Sequence, residues 1–215
     1  MQPREARIAQ LETRLRAQRT AGVRLSVSLV CFVGALYLLW RELPDVAYAL
    51  SSATPLTLGH EGAYRFETLA SNRYVQLHGV PTATAFWGQD RGGPFLVLGL
   101  QDTPVLVRRA PLPSETWTPG HPPPPPLQTP FAVRGRLLAE SAAPTYREAF
   151  QKARQLPGVR AREGRLWLVV EGEKPREDWG AVLTAVLLAL FAAFNGWLAV
   201  RRVVRRPEGR SASGA

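Results

Sequence analysis

Trp179-Gly-Ala-Val-Leu-Thr-Ala-Val-Leu-Leu-Ala-Leu-Phe-Ala-Ala-Phe-Asn-Gly-Trp-Leu-Ala-Val200 is an unbroken apolar stretch without a charged side chain. An α-helix needs about 20 such residues to cross roughly 30 Å of hydrocarbon, and this run supplies them. Trp179 and Trp197 stand near its ends, where an indole suits the headgroup region. A second apolar run, 25–40, lies near the other end of the chain. Extended back through Ala21, Gly22 and Val23, with the Arg24 guanidinium reaching to the interface, it too is long enough to span, and Trp40 marks its far end. A signal anchor fits it better than a cleaved signal peptide. Ala47-Tyr48-Ala49 mimics a cleavage site, but Arg41, Glu42 and Pro44 separate it from the apolar run, and the basic region before the run is long.

Working outward from the two runs gives the organisation. A basic, helical tail (1–22) leads into a first transmembrane helix (23–40). An extracytoplasmic β-rich domain (41–178) carrying a proline-rich loop (111–130) follows, then a second transmembrane helix (179–200) and a basic tail (201–215). Residues 1–24 and 201–215 hold eleven arginines against three glutamates and so carry +8 of the chain's formal +10, whereas the middle, 41–178, holds 16 basic and 14 acidic side chains. By the positive-inside rule both tails are cytoplasmic and the middle faces the far side of the inner membrane, the periplasm in a Gram-negative cell. The lipid bilayer is thus the first expected partner. No nucleic acid is expected, because the basic tails offer almost no aromatic rings on which a base could stack. Ile8, Leu11 and Leu15 give the first tail an amphipathic helical pattern suited to an anionic membrane surface. The lone cysteine, Cys31, falls in the first membrane helix, so the domain must be held by its own core, which 138 residues can build.

Within the domain, residues 45–51 read as a short helical turn after Pro44. Strand signals then dominate: 73–80, 83–87, a turn at 91–94, 95–100, a turn at 102–104, 105–108, 131–139 and 165–171. One helix is expected over 144–155, closed by Pro157-Gly158. The fold class expected is membrane α + β: two transmembrane helices flanking a small antiparallel, barrel-like α+β domain. Residues 122–126 are five consecutive prolines, which can join neither a ladder nor a helix; a stiff spacer explains them more simply than a docking ligand.

Chemical motifs are missing where an enzyme would need them. His60, His78 and His121 lie far apart and have no ligand-spaced neighbour, so no metal is expected. Ser51, Ser52, Ser71, Ser114 and Ser141 sit in no nucleophile-elbow context, and Gly92-Gly93 opens no helix that could cradle phosphate. Glu171, Glu173, Glu177 and Asp178 read as a solvated connector. A protein that is not an enzyme and binds no cofactor is the expectation.

The order of Tyr74-Val75-Gln76-Leu77-His78-Gly79, then Val105-Leu106-Val107-Arg108-Arg109-Ala110-Pro111-Leu112-Pro113, then Phe131-Ala132-Val133-Arg134-Gly135-Arg136-Leu137-Leu138 with Glu140, all between two membrane helices, resembles the surfeit-locus family of cytochrome c oxidase assembly factors. The resemblance covers about a third of the domain. It implies two membrane helices around an extracytoplasmic β domain and a role in assembling a respiratory membrane complex. The chain departs from the family at Arg109-Ala110, where an arginine-glycine pair is usual, and at Phe194-Asn195-Gly196, where no histidine stands in the second membrane helix, and these departures bear on haem handling.

Two functions remain open at this level: an assembly or scaffold factor, and a membrane-tethered periplasmic module that binds a peptide or envelope component. Small residues in the membrane bear on the choice. Ala181, Ala185, Ala189 and Ala193 recur every fourth residue, with Ala192, Gly196 and Ala199 alongside, a pattern that admits a close helix partner. That partner is either a membrane protein, a second copy, or Ser28, Cys31 and Ala35 of the chain's own first helix. Asn195, the strongly polar side chain deep in the run, either bonds across to a neighbouring helix or is satisfied by headgroup water.

Overall fold

The computed structural model describes residues 3–90, 92–113, 115, 129–177 and 179–204, with side chains from residue 26 onward and excepting 202 and 203. The proline tract 122–126, Ser114, His121, Asp178 and the tail beyond 204 lie outside the described residues, as do the side chains that make the first tail amphipathic. The chain forms two compact units, Met1–Leu43 with Gly180–Ala215, and Pro44–Trp179.

The first unit pairs two helices. Helix α1, Pro3–Ala49, runs without interruption through residues expected to form a tail, a span and a separate turn. Its counterpart, named α3 in chain order, is Trp179–Val204. Ser26–Ala49 and Trp179–Arg201 are each long and apolar enough to cross a membrane. Val30, Leu36 and Trp40 on α1, and Leu183, Leu187, Leu190 and Phe194 on α3, are exposed, so both helices carry large apolar side chains on their outer faces.

The second unit is α+β. Among the described residues its strands are β1 (Leu56–Gly59), β2 (Arg73–Gly79), β3 (Pro81–Asp90), β4 (Gly93–Leu100), β5 (Val105–Arg109), β6 (Phe131–Ala139) and β7 (Trp167–Glu171). They form one sheet in the order β1-β2-β6-β7-β5-β4-β3. The sheet is mixed and open, which corrects the antiparallel barrel-like expectation. β1 runs parallel to β2 and β5 parallel to β7, while the remaining pairs are antiparallel. It does not close because β1 is short and ends at Gly59 (φ +102), where a Cβ would meet the Ala63 carbonyl at 2.2 Å and the chain turns away.

The sheet is nonetheless strongly curled. Only Val80 separates β2 from β3, yet these strands hold the second and last places in the order. In a flat sheet those places would lie roughly 24 Å apart, far beyond the reach of one residue. The chain turns this corner by a break in the β3–β4 register between Pro81 and Ala85.

Curling creates two cores. Leu58, Val75, Leu77, Leu98, Leu100, Val105, Val107, Val133, Leu137 and Val169 fill one face. Val97, Leu106, Leu166, Leu168 and Val170 fill the other, covered by helix α2 (Arg147–Ala153) through Phe150 and Ala153. Strands β4, β5 and β7 are therefore buried on both faces, which is why they read as continuous apolar runs rather than alternating ones. Full burial of Phe150 contributes about 2–3 kcal/mol. The expected helix at 144–155 is shorter in the α form, with a 3₁₀ turn at Pro144–Tyr146 leading in.

Candidate functional site

The first cluster gathers around Arg136 of β6. Its Nε donates to the Asn72 Oδ1 at 2.7 Å, a terminal nitrogen pairs with Asp45, Glu173 lies at 3.8 Å, and the guanidinium sits 4.6 Å from the Tyr48 ring centroid. Asn72 adopts the left-handed conformation (φ 66) that asparagine tolerates better than most residues, and its amide nitrogen donates to the Pro44 carbonyl. This bonding explains why the helix does not stop at Pro44. A proline removes one helical donor, but Pro44 and Asp45 are held here by Asn72, in the turn before β2, and by Arg136 of β6. Nearby, the Tyr48 hydroxyl donates to the Glu173 carbonyl at 2.9 Å and the Arg176 N–H to the Ala49 carbonyl at 3.1 Å. The two points at which the chain joins the β domain are thus tied to each other.

The second cluster lies at the root of the proline-rich loop. Arg109, at the end of β5, makes a two-pronged pair with Glu115, both contacts at 2.6 Å, and both side chains are under a tenth exposed. Glu115 also accepts from the Leu112 N–H at 2.9 Å. Half-buried Glu171 shares this neighbourhood: burial raises its carboxyl above the usual range, and the Arg109 charge partly offsets that.

The third feature is a cleft of about 530 Å³ at the β2–β3 corner, lined by Glu61, Gly62, Tyr64, Phe66, Val80, Gln101 and Asp102. Tyr64 and Phe66 stack at 5.1 Å between centroids and 18° between planes. The Tyr64 hydroxyl donates to the His78 carbonyl at 2.8 Å, and a Cβ on Gly79 would fall 2.9 Å from that hydroxyl, so a glycine is what lets the ring settle there. Burial, with the Glu61 charge adding, pushes the Tyr64 phenol up to about 12.

In the helical unit, burial recurs at Ser28, Phe32, Ala35, Leu39 and Glu42 on α1, and at Ala185, Leu188, Ala192, Asn195 and Ala199 on α3. The alternating four-three spacing is that of left-handed helix packing, a seam of period 3.5 rather than 4. Of the residues singled out from sequence, Ala185, Asn195 and Gly196 therefore lie on the intrachain seam and Ala181 is half-buried, while Ala189 and Ala193 are exposed. Gly196 lies under Phe32, whose ring carbon would be 3.1 Å from an added Cβ. The Asn195 amide donates to the Phe191 carbonyl of its own helix at 2.9 Å. The polar group is thus satisfied by a backbone acceptor one turn away on the same helix, neither by a second helix nor by headgroup water.

Among the described residues no three of His, Cys, Asp and Glu gather to hold a metal. His60 engages the Glu61 carbonyl and His78 faces Gln76, each apart from the other. Composition gave no signal for Arg136 or the cleft, whose parts are distant in sequence, nor for Arg109–Glu115, a pair only six residues apart that falls outside any helical or strand period. No protein-family model, no curated protein and no solved structure matches the chain.

Proposed function

We propose that this chain is a non-enzymatic, two-pass inner-membrane assembly or scaffold factor that presents its β domain on the extracytoplasmic side, in the service of a respiratory membrane complex. The observation that carries the reading is the joining of the domain's two ends by the Tyr48–Glu173 and Ala49–Arg176 bonds. Each joined end continues into a helix apolar enough to span, which suits a platform anchored at one place by two helices. The basic tails favour a cytoplasmic location for both termini, and the order of strand motifs resembles the surfeit-locus assembly factors.

Lys152 and Lys174 are the only lysines, so photo-crosslinking residues placed at Ala189 and Ala193 probe native membranes better than amine reagents. A discrete membrane-protein adduct, together with loss of an assembled respiratory complex when the protein is deleted, is expected; lipid adducts alone would reject the scaffold role. Reporter fusions at residue 2 and residue 215 should read cytoplasmic and one near Gly120 exported. A cytoplasmic reading at Gly120 would reject the topology.

The second reading, a tethered binding module, is favoured by the aromatic-floored cleft at the β2–β3 corner.

A further inference from the structure

We infer that the β2–β3 corner cleft is a receptor for an arginine side chain presented by a partner polypeptide. The inference rests on the binding-module reading and names the ligand chemistry of that site.

Acceptors predominate among the polar side chains that line the cleft. Glu61 and Asp102 are carboxylates. The Tyr64 hydroxyl donates to the His78 carbonyl, and one N–H of the Gln101 amide to the Pro81 carbonyl at 3.3 Å, which leaves the Gln101 amide oxygen as an acceptor beside its second N–H. Between these acceptors lies the stacked Tyr64–Phe66 ledge with half-buried Val80. A ligand complementary to acceptors around an aromatic floor carries several donors and positive charge at the end of an apolar stem, and guanidinium is the side-chain group that adds a flat face for the rings.

The chain's own arginines already use both elements from outside the cleft. Arg162 lies 5.9 Å from the Phe66 centroid and 3.8 Å from Glu67, and Arg160 pairs with Asp102 at 2.9 Å. Glu61 makes no ion pair with a described residue, so the cleft retains a carboxylate for an incoming cation. At about 530 Å³ it takes more than a single ion and falls within the usual range for ligand sites.

The test titrates the full chain in lipid nanodiscs with a capped Gly-Arg-Gly peptide, read by the ring resonances of Tyr64 and Phe66. The controls are the citrulline peptide, a neutral isostere, and the lysine peptide. Saturable binding on the order of 1 mM is expected for the arginine peptide, with a several-fold preference over lysine and none for citrulline. Glu61→Gln and Asp102→Asn should each weaken it about two- to fivefold. Both sites are exposed, and asparagine tolerates the positive φ at position 102, so both variants should fold. Equal binding of the citrulline peptide, or no shift of either ring at saturating peptide, would overturn the assignment; equal binding of lysine would overturn the guanidinium preference. Crosslinking to a membrane partner is a separate measurement, so failure here leaves the scaffold reading to its own test.

Discussion

Arg136 lies over the ring of Tyr48, its guanidinium carbon 4.6 Å from the centroid, while the same side chain bonds Asn72 and Asp45. One planar group therefore meets a ring face, an amide and a carboxylate at once, which a lysine ammonium cannot do. Arg136→Lys should destabilise the domain nearly as much as Arg136→Met, each by about 1–3 kcal/mol. Denaturant unfolding followed by tryptophan fluorescence checks this, and a double-mutant cycle with Tyr48→Leu should return a coupling of roughly 0.5–2 kcal/mol.

The Arg109–Glu115 pair is the most buried ion pair among the described residues. Glu115→Gln leaves a guanidinium without its charge partner and should cost about 3–5 kcal/mol, whereas replacing both residues by Met and Leu should recover much of that loss. Comparing unfolding midpoints of the single and double variants decides it.

Gly135 stands where β6 meets β7, and a Cβ there would fall 2.0 Å from the Val170 carbonyl oxygen, which is backbone and cannot rotate away. Gly135→Ala should cost more than about 3 kcal/mol and leave little folded domain. Gly164→Ala, with open space but a positive φ of 73°, should cost only about 1 kcal/mol. Thermal melts of the two variants measure the contrast.

Gly196 and Asn195 are neighbours with different expected tolerances. Gly196→Leu must displace the Phe32 ring and should weaken the α1–α3 seam by about 1–3 kcal/mol. Asn195→Leu gives up a bond to the helix's own Phe191 carbonyl and should cost less than about 1 kcal/mol, with insertion retained. Unfolding in mixed micelles of rising sodium dodecyl sulfate content reads both.

Glu171 supplies a pH test. Its carboxyl is raised in the folded state by burial, so the folded chain holds its proton more tightly than the unfolded chain. Its contribution to stability is present in full below the unfolded carboxylate range and is lost as pH rises through the higher folded value. Glu171→Gln should therefore gain on the wild type as pH rises from 4 to 7, as measured by paired denaturant titrations. A gap that stays constant across that window would refute the assignment.

Several strands were legible because their signals are local. Residues 131–139 alternate and become β6 at the same bounds, and the apolar run at 95–100 becomes the body of β4. β1 escaped notice because four residues at a sheet edge offer no period to read. The parallel β5–β7 and β1–β2 pairs are set by how the chain crosses the sheet, which no stretch of sequence displays. The expected break between the span ending at Trp40 and the turn at 45–51 does not occur, and Asn72 and Arg136, far along the chain, hold Pro44 and Asp45 in the continuous helix. Asp45 and Arg136 are 91 positions apart, so the joining of the domain's ends has no local signature. Likewise the small-residue stripe was visible, but whether the seam repeats every 4 or every 3.5 residues depends on the partner helix.

β7 occupies the middle of the sheet, between β5 and β6, although it is the last strand in the chain. Until Trp167–Glu171 has been synthesised, β1-β2-β6 and β5-β4-β3 share no ladder; apart from the covalent connections, they meet through the side chains of one core and the Gln101-to-Val80 bond at the corner. Under the proposed topology, in which the domain is exported as it is made, the keystone strand emerges just ahead of the second apolar helix. On that proposal, completion of the sheet and entry of the last helix into the bilayer would be nearly simultaneous events, and a ribosome stalled before residue 167 would display two unpaired β edges to any chaperone within reach.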